Sequence, residues 1–182
     1  MILADPPWHF ETFDGESAIP TQASDPYTSM TFDDLCALPV ESVAAKDCAL
    51  FMWHSGTHTD QAIDLAKAWG FKFVRSEVFV WIKTRDGYSP KPGMGYYSRN
   101  GAEVCALFKR GSPKVLSRGV EQVIICPRGG HSSKPHETYE RIEQMIAGPY
   151  LELFARERRK NWSSWGNEVG SRDGTLFPAS GM

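Results

Sequence analysis

Residues 5–8, Asp5-Pro6-Pro7-Trp8, combine groups that could act together on a nitrogen atom. They follow a short apolar run, residues 1–4, that is typical of a β-strand, and two consecutive prolines force the chain to turn there. The Asp5 carboxylate and the Pro6 carbonyl could each accept a hydrogen bond from an exocyclic amino group. Such contacts draw electron density onto the nitrogen and favour its attack on an electrophile. The two prolines would hold the carbonyl in place at little entropic cost.

Trp8 adds a flat aromatic face that could stack on a base or lie near a cationic sulfonium. A base inside a duplex cannot reach such a pocket, so it would have to be flipped out or already unpaired. The same four residues also fit a plainer alternative, a turn after an edge strand with a buried tryptophan. The motif by itself supports the two interpretations about equally.

The elements that must position this motif alternate between strand-like and helix-like segments. Helical patterns begin at Thr31, a predicted N-cap, at Thr59 and at His136, and Gly70 is predicted to end the second of these helices. Apolar or β-rich runs predict strands over residues 1–4, 49–53, 71–82 (with a bulge near 75–77), 103–108, 120–126, 150–154 and 162–165.

This alternation predicts an α/β fold, with a mainly parallel twisted sheet and helices on both faces. Ligands of such sheets bind outside the carboxyl ends of the strands. Asp5, Lys83 and Arg156 each follow such an end, so we expect them to converge on one crevice. Residues 9–30 are rich in Gly, Ser, Thr, Asp and Pro and predict a long binding loop.

Charge is distributed unevenly along the 182 residues, although the net charge is only −2. Residues 1–64 hold 11 acidic residues and one basic residue, Lys46, whereas residues 83–118 hold eight basic residues against Asp86 and Glu103. The basic stretch could bind phosphates, or it could be an ordinary solvated surface. The basic stretch bears on function only if the site chemistry also requires a polyanionic substrate.

The remaining composition indicates a single globular domain inside a cell. The four cysteines lie at long, irregular spacings without a ligand-spaced histidine pair, which predicts reduced thiols and no metal site. We find no signal peptide, and no apolar stretch approaches the roughly 20 residues that span a bilayer. We therefore expect no membrane partner and an intracellular protein, cytoplasmic if it is bacterial or from a phage.

The motif and the blocks that follow it resemble the MT-A70 family of adenine-N6 methyltransferases, and in particular its bacterial and phage DNA-modifying members. Asp5-Pro6-Pro7-Trp8 is similar to the family's catalytic motif. Later blocks match in family order, and these include Pro26-Tyr27-Thr28-Ser29-Met30, Leu50-Phe51-Met52-Trp53, Trp81-Ile82-Lys83-Thr84, Ser133-Lys134-Pro135-His136-Glu137, Leu151-Glu152-Leu153-Phe154-Ala155-Arg156 and Trp165-Gly166-Asn167-Glu168. The resemblance covers residues 1–168, which we predict to be one methyltransferase domain, with residues 169–182 as a polar tail.

The resemblance implies a Rossmann-like fold and S-adenosyl-L-methionine as the methyl donor, bound between Asp5 and the strand before Phe154. It assigns catalysis to Asp5, Pro6, Pro7 and Trp8, and implies Lys134 as the contact of the donor's carboxylate. The other implied cofactor-binding residues are Phe154, Arg156, Arg158, Asn167 and Glu168. Family members usually carry a further segment before the catalytic strand, where this sequence has only four residues, so either the chain is a minimal natural version or its cofactor pocket is open on that side.

The resemblance also implies residues that bind the substrate. Trp8 and Tyr27 would contact the target base, and Lys83, Asn100 and Glu103 would hold the base or its strand. For these last three residues, simple structural hydrogen bonding is an equal alternative.

Three functions remain open from the sequence. The leading hypothesis is methyl transfer to the N6 amino group of adenine in DNA, because the chain is compact and shows no RNA-binding appendage. The second keeps this chemistry on RNA. The third is a catalytically silent, nucleic-acid-binding subunit, which intact Asp5 and Trp8 disfavour. A homodimer and a heterodimer both remain open.

Overall fold

The computed structural model describes residues 1–8, 30–91, 93, 97–129 and 133–169. These residues form one seven-stranded sheet with helices on both faces. The strands, in chain order, are β1 (Ile2–Ala4), β2 (Cys48–His54), β3 (Lys72–Thr84), β4 (Ala102–Arg110), β5 (Val123–Pro127), β6 (Tyr150–Leu153) and β7 (Trp162–Trp165). The helices are α1 (Phe32–Ala37), α2 (Val40–Val43), α3 (Thr59–Ala68), preceded by the 3₁₀ turn Gly56–His58, and α4 (His136–Met145). The predicted α/β fold is therefore confirmed.

Strand direction decides which residues reach the edge of the sheet where ligands bind. The strand order is β5-β3-β4-β2-β1-β6-β7, and only β4 pairs antiparallel with its neighbours, β2 and β3. Six strands therefore end at one edge, and β4 begins there. This places Glu103, at the start of β4, at the edge where the neighbouring strands β2 and β3 end. The sequence predicted a mainly parallel sheet but not the reversal of β4.

The two faces of the sheet hold separate apolar cores. Helices α1, α2 and α3 cover one face, where Leu35, Val40 and Leu65 pack against Leu50 and other inward residues of the sheet. Helix α4 covers the opposite face with Ile142, which packs with residues such as Phe51 and Phe79. Because β2 is buried along its whole length, its sequence is almost continuously apolar rather than alternating.

Local sequence signals account for the helix ends. The hydroxyl of Thr31 accepts a hydrogen bond from the backbone N–H of Asp34 at 3.1 Å, which confirms Thr31 as the N-cap of α1. After α3 the chain reverses at Gly70, whose φ of +81° is readily adopted only by glycine. In β3 the pairing with β4 shifts between Arg75 and Phe79, so the predicted bulge is present.

Two remaining predictions concern the cysteines and the membrane. Cys48 and Cys105 are buried, Cys36 and Cys126 are half-buried, and all four are free thiols, in agreement with the sequence. Among the helices that the structure describes, none combines the length and the apolar character needed to cross a bilayer.

Candidate active site

Asp5 stands at the end of the central strand β1, which is hydrogen-bonded in parallel between β2 and β6. Side chains from four further segments of the chain reach this point. Lys134, in the loop before α4, places its ammonium nitrogen 2.6 Å from Oδ2 of Asp5 and 3.2 Å from Oε2 of Glu103. Lys83, near the end of β3, forms an ion pair with the other oxygen of Glu103. Arg156, after β6, lies 4.0 Å from Asp5 Oδ2.

These contacts form one network of alternating charge, Lys83–Glu103–Lys134–Asp5–Arg156. Burial disfavours the charge on Glu103, but Lys134 and Lys83 outweigh it and hold the pKa of Glu103 below its usual value. Burial likewise opposes the charge on Lys134, yet Asp5 and Glu103 together raise its pKa above the usual value. Lys134 and Glu103 are therefore both charged at neutral pH, and they carry this charge beside Asp5.

The turn after Asp5 holds the next residues of the motif close to the sheet. The carbonyl of Pro6 accepts a hydrogen bond from the backbone N–H of Trp8 at 2.8 Å, and a carbonyl oxygen has a second lone pair available. Trp8 is only 8% exposed and packs in the core on the α1–α3 face of the sheet. Its indole N–H donates to the carbonyl of Trp53 at 3.1 Å, so this side chain also holds the turn against β2.

The turn after β6 forms the facing wall of the site. Phe154 adopts a φ of +62°, an uncommon conformation for a residue with a side chain, and this redirects the chain toward Arg156. The backbone N–H of Ala155 donates to the carbonyl of Trp165 at 2.9 Å. A Cβ atom on Gly166 would lie 2.6 Å from the nitrogen of Ala155 and 2.9 Å from the carbonyl carbon of Phe154, so only glycine fits beside this turn.

Between the two turns lies a cavity of about 480 Å³. The described residues that line it are Leu3, Asp5, Trp53, Ser133, Lys134, His136, Tyr139, Glu140, Glu143, Glu152, Phe154, Arg156, Glu157, Arg158, Arg159, Lys160 and Asn161. The lining thus combines apolar side chains with cations and carboxylates, and its volume is in the range of small-molecule and cofactor sites.

One acidic residue of the cavity has a strongly shifted pKa. Glu152 is 8% exposed and accepts a hydrogen bond from the Tyr139 hydroxyl at 2.7 Å. Burial raises the pKa of Glu152 to about 7, and the nearby Asp5 carboxylate adds to the shift, while Tyr139 and Arg159 oppose it. The guanidinium of Arg159 stacks 3.9 Å from the Tyr139 ring and contacts His136 at 2.7 Å. This wall can therefore gain or lose a proton near neutral pH.

Comparison with known proteins identifies the family. The MT-A70 family model matches residues 1–168. The type II methyltransferase M.MunI of Mycoplasma sp is 33% identical over 93% of this chain and 77% of its own length. The N(6)-adenine-specific methyltransferase METTL4 of Homo sapiens is 27% identical over 93% of this chain and 37% of its own length. The non-catalytic subunit MTB of an N6-adenosine-methyltransferase from Arabidopsis thaliana is 33% identical over 72% of this chain and 15% of its own length.

The chain belongs to the MT-A70 family. The family match, together with the similarity to the two methyltransferases, makes the chain an S-adenosyl-L-methionine-dependent adenine-N6 methyltransferase. The chain spans most of M.MunI but less than half of METTL4 and of MTB.

In this MT-A70 enzyme, many of the site residues predicted from the sequence lie close together. The ion network contains Asp5, Lys134, Glu103, Lys83 and Arg156. Of the three strand ends expected to converge on one crevice, those with Asp5 and Arg156 line the cavity, whereas Lys83 joins them through Glu103. Phe154, Arg156 and Arg158 line the cavity with Asp5 and Lys134. Arg158 also donates to the carbonyl of Val169 at 2.9 Å.

Other predicted residues lie apart from this cluster. Asn167 and Glu168 are exposed and are not among the described residues that line the cavity of the MT-A70 enzyme. Asn100 is exposed as well, and its carbonyl accepts a hydrogen bond from the backbone N–H of Gly93. Tyr27 lies outside the described residues.

Glu152 and Tyr139 are among the residues of this cavity that the sequence did not single out. A signal for Glu152 was available, because a single carboxylate inside an apolar strand is expensive to bury without a partner or a function. Tyr139 lies three residues after His136 in α4, so both occupy one face of the helix. That spacing alone is also typical of ordinary core packing.

Proposed function

We propose that this MT-A70 enzyme methylates the N6 amino group of adenine in DNA, with Asp5 and the Pro6 carbonyl as the acceptors of the two amino hydrogens. The observation that carries the proposal is the position of Asp5, at the end of β1 and at the border of the 480 Å³ cavity. Both cations that contact Asp5 approach the same oxygen, Oδ2. We therefore assign the other oxygen, Oδ1, to the amino group of the target base.

The cavity residues fit the methyl donor that the family implies. S-adenosyl-L-methionine, when bound, supplies an electrophilic methyl group on a sulfonium. The ammonium of Lys134 suits its carboxylate, and the carboxylates of Asp5 and Glu152 suit its cationic groups and its ribose hydroxyls. Phe154 supplies an apolar wall, and we assign Arg156 and Arg158 to the ribose side. Asn167 and Glu168 remain proposals for contacts at the mouth of the site.

Methyl transfer leaves the attacking nitrogen with a positive charge and a proton to lose, and Oδ1 of Asp5, which already accepts a hydrogen bond from this nitrogen, takes the proton and passes it to water. In our proposal Asp5 holds the amino group through hydrogen bonds that strengthen as positive charge develops on the nitrogen. Lys134 keeps this carboxylate oriented, and Glu103 holds Lys134 through its second oxygen. Trp8 contributes mainly by fixing the turn, because its indole nitrogen is committed to the Trp53 carbonyl.

The similarity to a type II methyltransferase supports DNA as the polymer, because the chain spans 77% of that protein. A DNA substrate in turn places the enzyme inside the cell. The relative named as a non-catalytic subunit supports the alternative of a silent partner in a heterodimer. The intact residues Asp5, Pro6, Pro7 and Trp8 favour catalysis over that alternative.

The decisive experiment measures methyl transfer from labelled S-adenosyl-L-methionine to unpaired DNA, duplex DNA and RNA of the same sequence. The products are digested to nucleosides and N6-methyladenine is quantified by mass spectrometry. We expect DNA to be methylated, and Asp5→Ala to lower turnover by roughly 100-fold or more at saturating cofactor, with cofactor binding weakened but still measurable by calorimetry.

Asp64→Ala is the matched control, because Asp64 is an exposed carboxylate paired with Lys67 on the surface of α3. It should leave turnover unchanged. Equal activity of Asp5→Ala and the wild type would refute the catalytic assignment. A strong preference for RNA would replace DNA as the substrate, and failure of the wild type to methylate any polymer would favour the silent subunit.

A further inference from the structure

The connection between β3 and β4, which leaves the edge of the sheet at which Asp5 lies, exposes two aromatic rings. Tyr88 is 89% exposed and Tyr97 is 102% exposed, the largest values among the exposed hydrophobic side chains of the described residues. Arg85, Lys91 and Arg99 are exposed in the same connection. We name these five residues, Arg85, Tyr88, Lys91, Tyr97 and Arg99, the tyrosine–arginine surface.

Tyr88 is displayed by a well-formed turn rather than by a loose segment. The Asp86 carboxylate accepts hydrogen bonds from the backbone N–H groups of Tyr88 at 2.9 Å and of Ser89 at 2.7 Å. These bonds hold the pKa of Asp86 below its usual value. The backbone N–H of Arg85 donates to the carbonyl of Ser89 at 3.0 Å and closes the turn. The local structure therefore holds the Tyr88 ring in solvent.

The charge of this surface is positive. Asp86 is the acidic residue among the described residues of 85–100, and its carboxylate is engaged by backbone N–H groups. Arg85, Lys91 and Arg99 are long side chains with cationic ends. Aromatic faces interleaved with cations are the combination that binds unpaired nucleic acid, because bases stack on the rings and phosphates pair with the cations.

The surface is also continuous with the ion network of the active site. The backbone N–H of Lys91 donates to the carbonyl of Lys83 at 2.8 Å, and the backbone N–H of Lys83 donates to the carbonyl of Gly101 at 2.8 Å. The side chain of Lys83 pairs with Glu103, which contacts Lys134 beside Asp5. A nucleic acid strand lying on the tyrosine–arginine surface would therefore lead toward the base held at Asp5.

We propose that the tyrosine–arginine surface binds the unpaired stretch of the substrate strand that flanks the target adenine, with Tyr88 and Tyr97 stacking on bases. This proposal rests on the proposed function, which supplies the adenine whose flanks are bound. In this proposal the two tyrosines contribute to affinity for the substrate strand and take no part in methyl transfer. Removing them should therefore raise KM and leave kcat nearly unchanged.

The test compares binding of fluorescently labelled unpaired DNA by anisotropy with the kinetics of methyl transfer. The variants are the double changes of Tyr88 and Tyr97 to Ala, to Phe and to Leu, and the triple change of Arg85, Lys91 and Arg99 to Gln. Lys72, Arg75 and Lys109 changed to Gln form the matched charge control, because these exposed cations lie at the far end of the β3–β4 pair. Circular dichroism and thermal unfolding check that each variant folds.

We expect the double alanine variant to raise Kd and KM roughly fivefold or more, and kcat at saturating DNA to stay within about twofold. The double phenylalanine variant should restore binding, because the ring face and not the hydroxyl stacks. The triple glutamine variant should reduce the slope of log affinity against log salt by about 2, at about 0.7 for each cation on a single strand. The charge control should keep the slope of the wild type.

Unchanged Kd and KM in the double alanine variant would overturn the proposal, and so would an equal loss of slope in the charge control. Restoration by leucine as fully as by phenylalanine would also overturn it, since it would indicate an apolar contact of the kind a protein partner makes. These outcomes are distinct from failure of the proposed function, in which the wild type itself transfers no methyl group to nucleic acid.

Discussion

The ammonium nitrogen of Lys134 lies 2.6 Å from Oδ2 of Asp5, although 129 positions separate the two residues in the chain. Two carboxylates hold this ammonium group, because Oε2 of Glu103 lies 3.2 Å from the same nitrogen that contacts Asp5. Lys134, which we assign to cofactor binding, and Asp5, which we assign to catalysis, are thus parts of one electrostatic unit. Changes to one member should therefore affect both binding and stability.

Lys134→Met should destabilise the protein, because it removes the cation between two partly buried carboxylates. We expect the free energy of unfolding to fall by about 2–3 kcal/mol, less than for a fully buried pair, because the side chains retain some contact with water. Affinity for S-adenosyl-L-methionine should fall at least tenfold. Chemical denaturation and calorimetry measure the two effects. Lys67→Met, which breaks an exposed pair with Asp64, should change stability by less than about 1 kcal/mol, and an equal loss would contradict the prediction.

Glu103→Gln should alter the response of stability to acid. Because the pKa of Glu103 is depressed in the folded protein, its ionised form stabilises the fold above the unfolded pKa of 4.5, and this contribution is lost as pH falls below that value. The glutamine variant lacks this contribution. Its free energy of unfolding should be lower than that of the wild type at pH 7, and the difference should shrink toward acid pH. A difference between the two proteins that stays constant from pH 7 to pH 3 would count against the network.

Gly166→Ala should disrupt the turn that follows β6, because the added Cβ would overlap the backbone of Ala155. We expect a loss of about 3 kcal/mol in the free energy of unfolding, together with weaker cofactor binding as Arg156 and Phe154 shift. Gly119→Ala is the control, since its Cβ would meet only the Ser117 hydroxyl oxygen, at 3.7 Å. Urea denaturation of both variants tests the prediction. Equal stabilities would contradict it, because they would show that the turn can shift to accommodate the added methyl group.

Glu152→Gln should abolish a second pH dependence of stability, opposite in sign to that of Glu103. The pKa of Glu152 is raised from 4.5 to about 7 in the folded protein, so its protonated form stabilises the fold below pH 4.5 and this stabilisation is lost as pH rises through 7. The loss is on the order of 3 kcal/mol at most. The glutamine resembles the protonated acid and should not lose stability in this window. Unfolding curves between pH 4.5 and 8 compare the two proteins, and a decline in stability that parallels the wild type would exclude Glu152 as its source.

Several features of the fold could be predicted because they depend on short stretches of sequence. Thr31 begins a helix through a hydrogen bond to a residue three positions away, and Gly70 ends a helix through its own backbone conformation. The apolar run of β2 predicts a strand buried on both faces. The alternation of these elements was sufficient to predict an α/β sheet with ligands at its carboxyl edge.

The sequence by itself determined the turn at Pro6 and Pro7, the family, and the placement of Asp5, Lys83 and Arg156 at one edge of the sheet, because each depends on local pattern or on the order of strands. The tertiary structure alone decided that Trp8 is held in the core by the Trp53 carbonyl and that Glu152 faces the cavity with a raised pKa. It also decided that Lys134 and Glu103 meet beside Asp5. These facts depend on the reversal of β4 and on the path of the chain before α4, and spacing along the sequence does not specify which distant charges share one desolvated space.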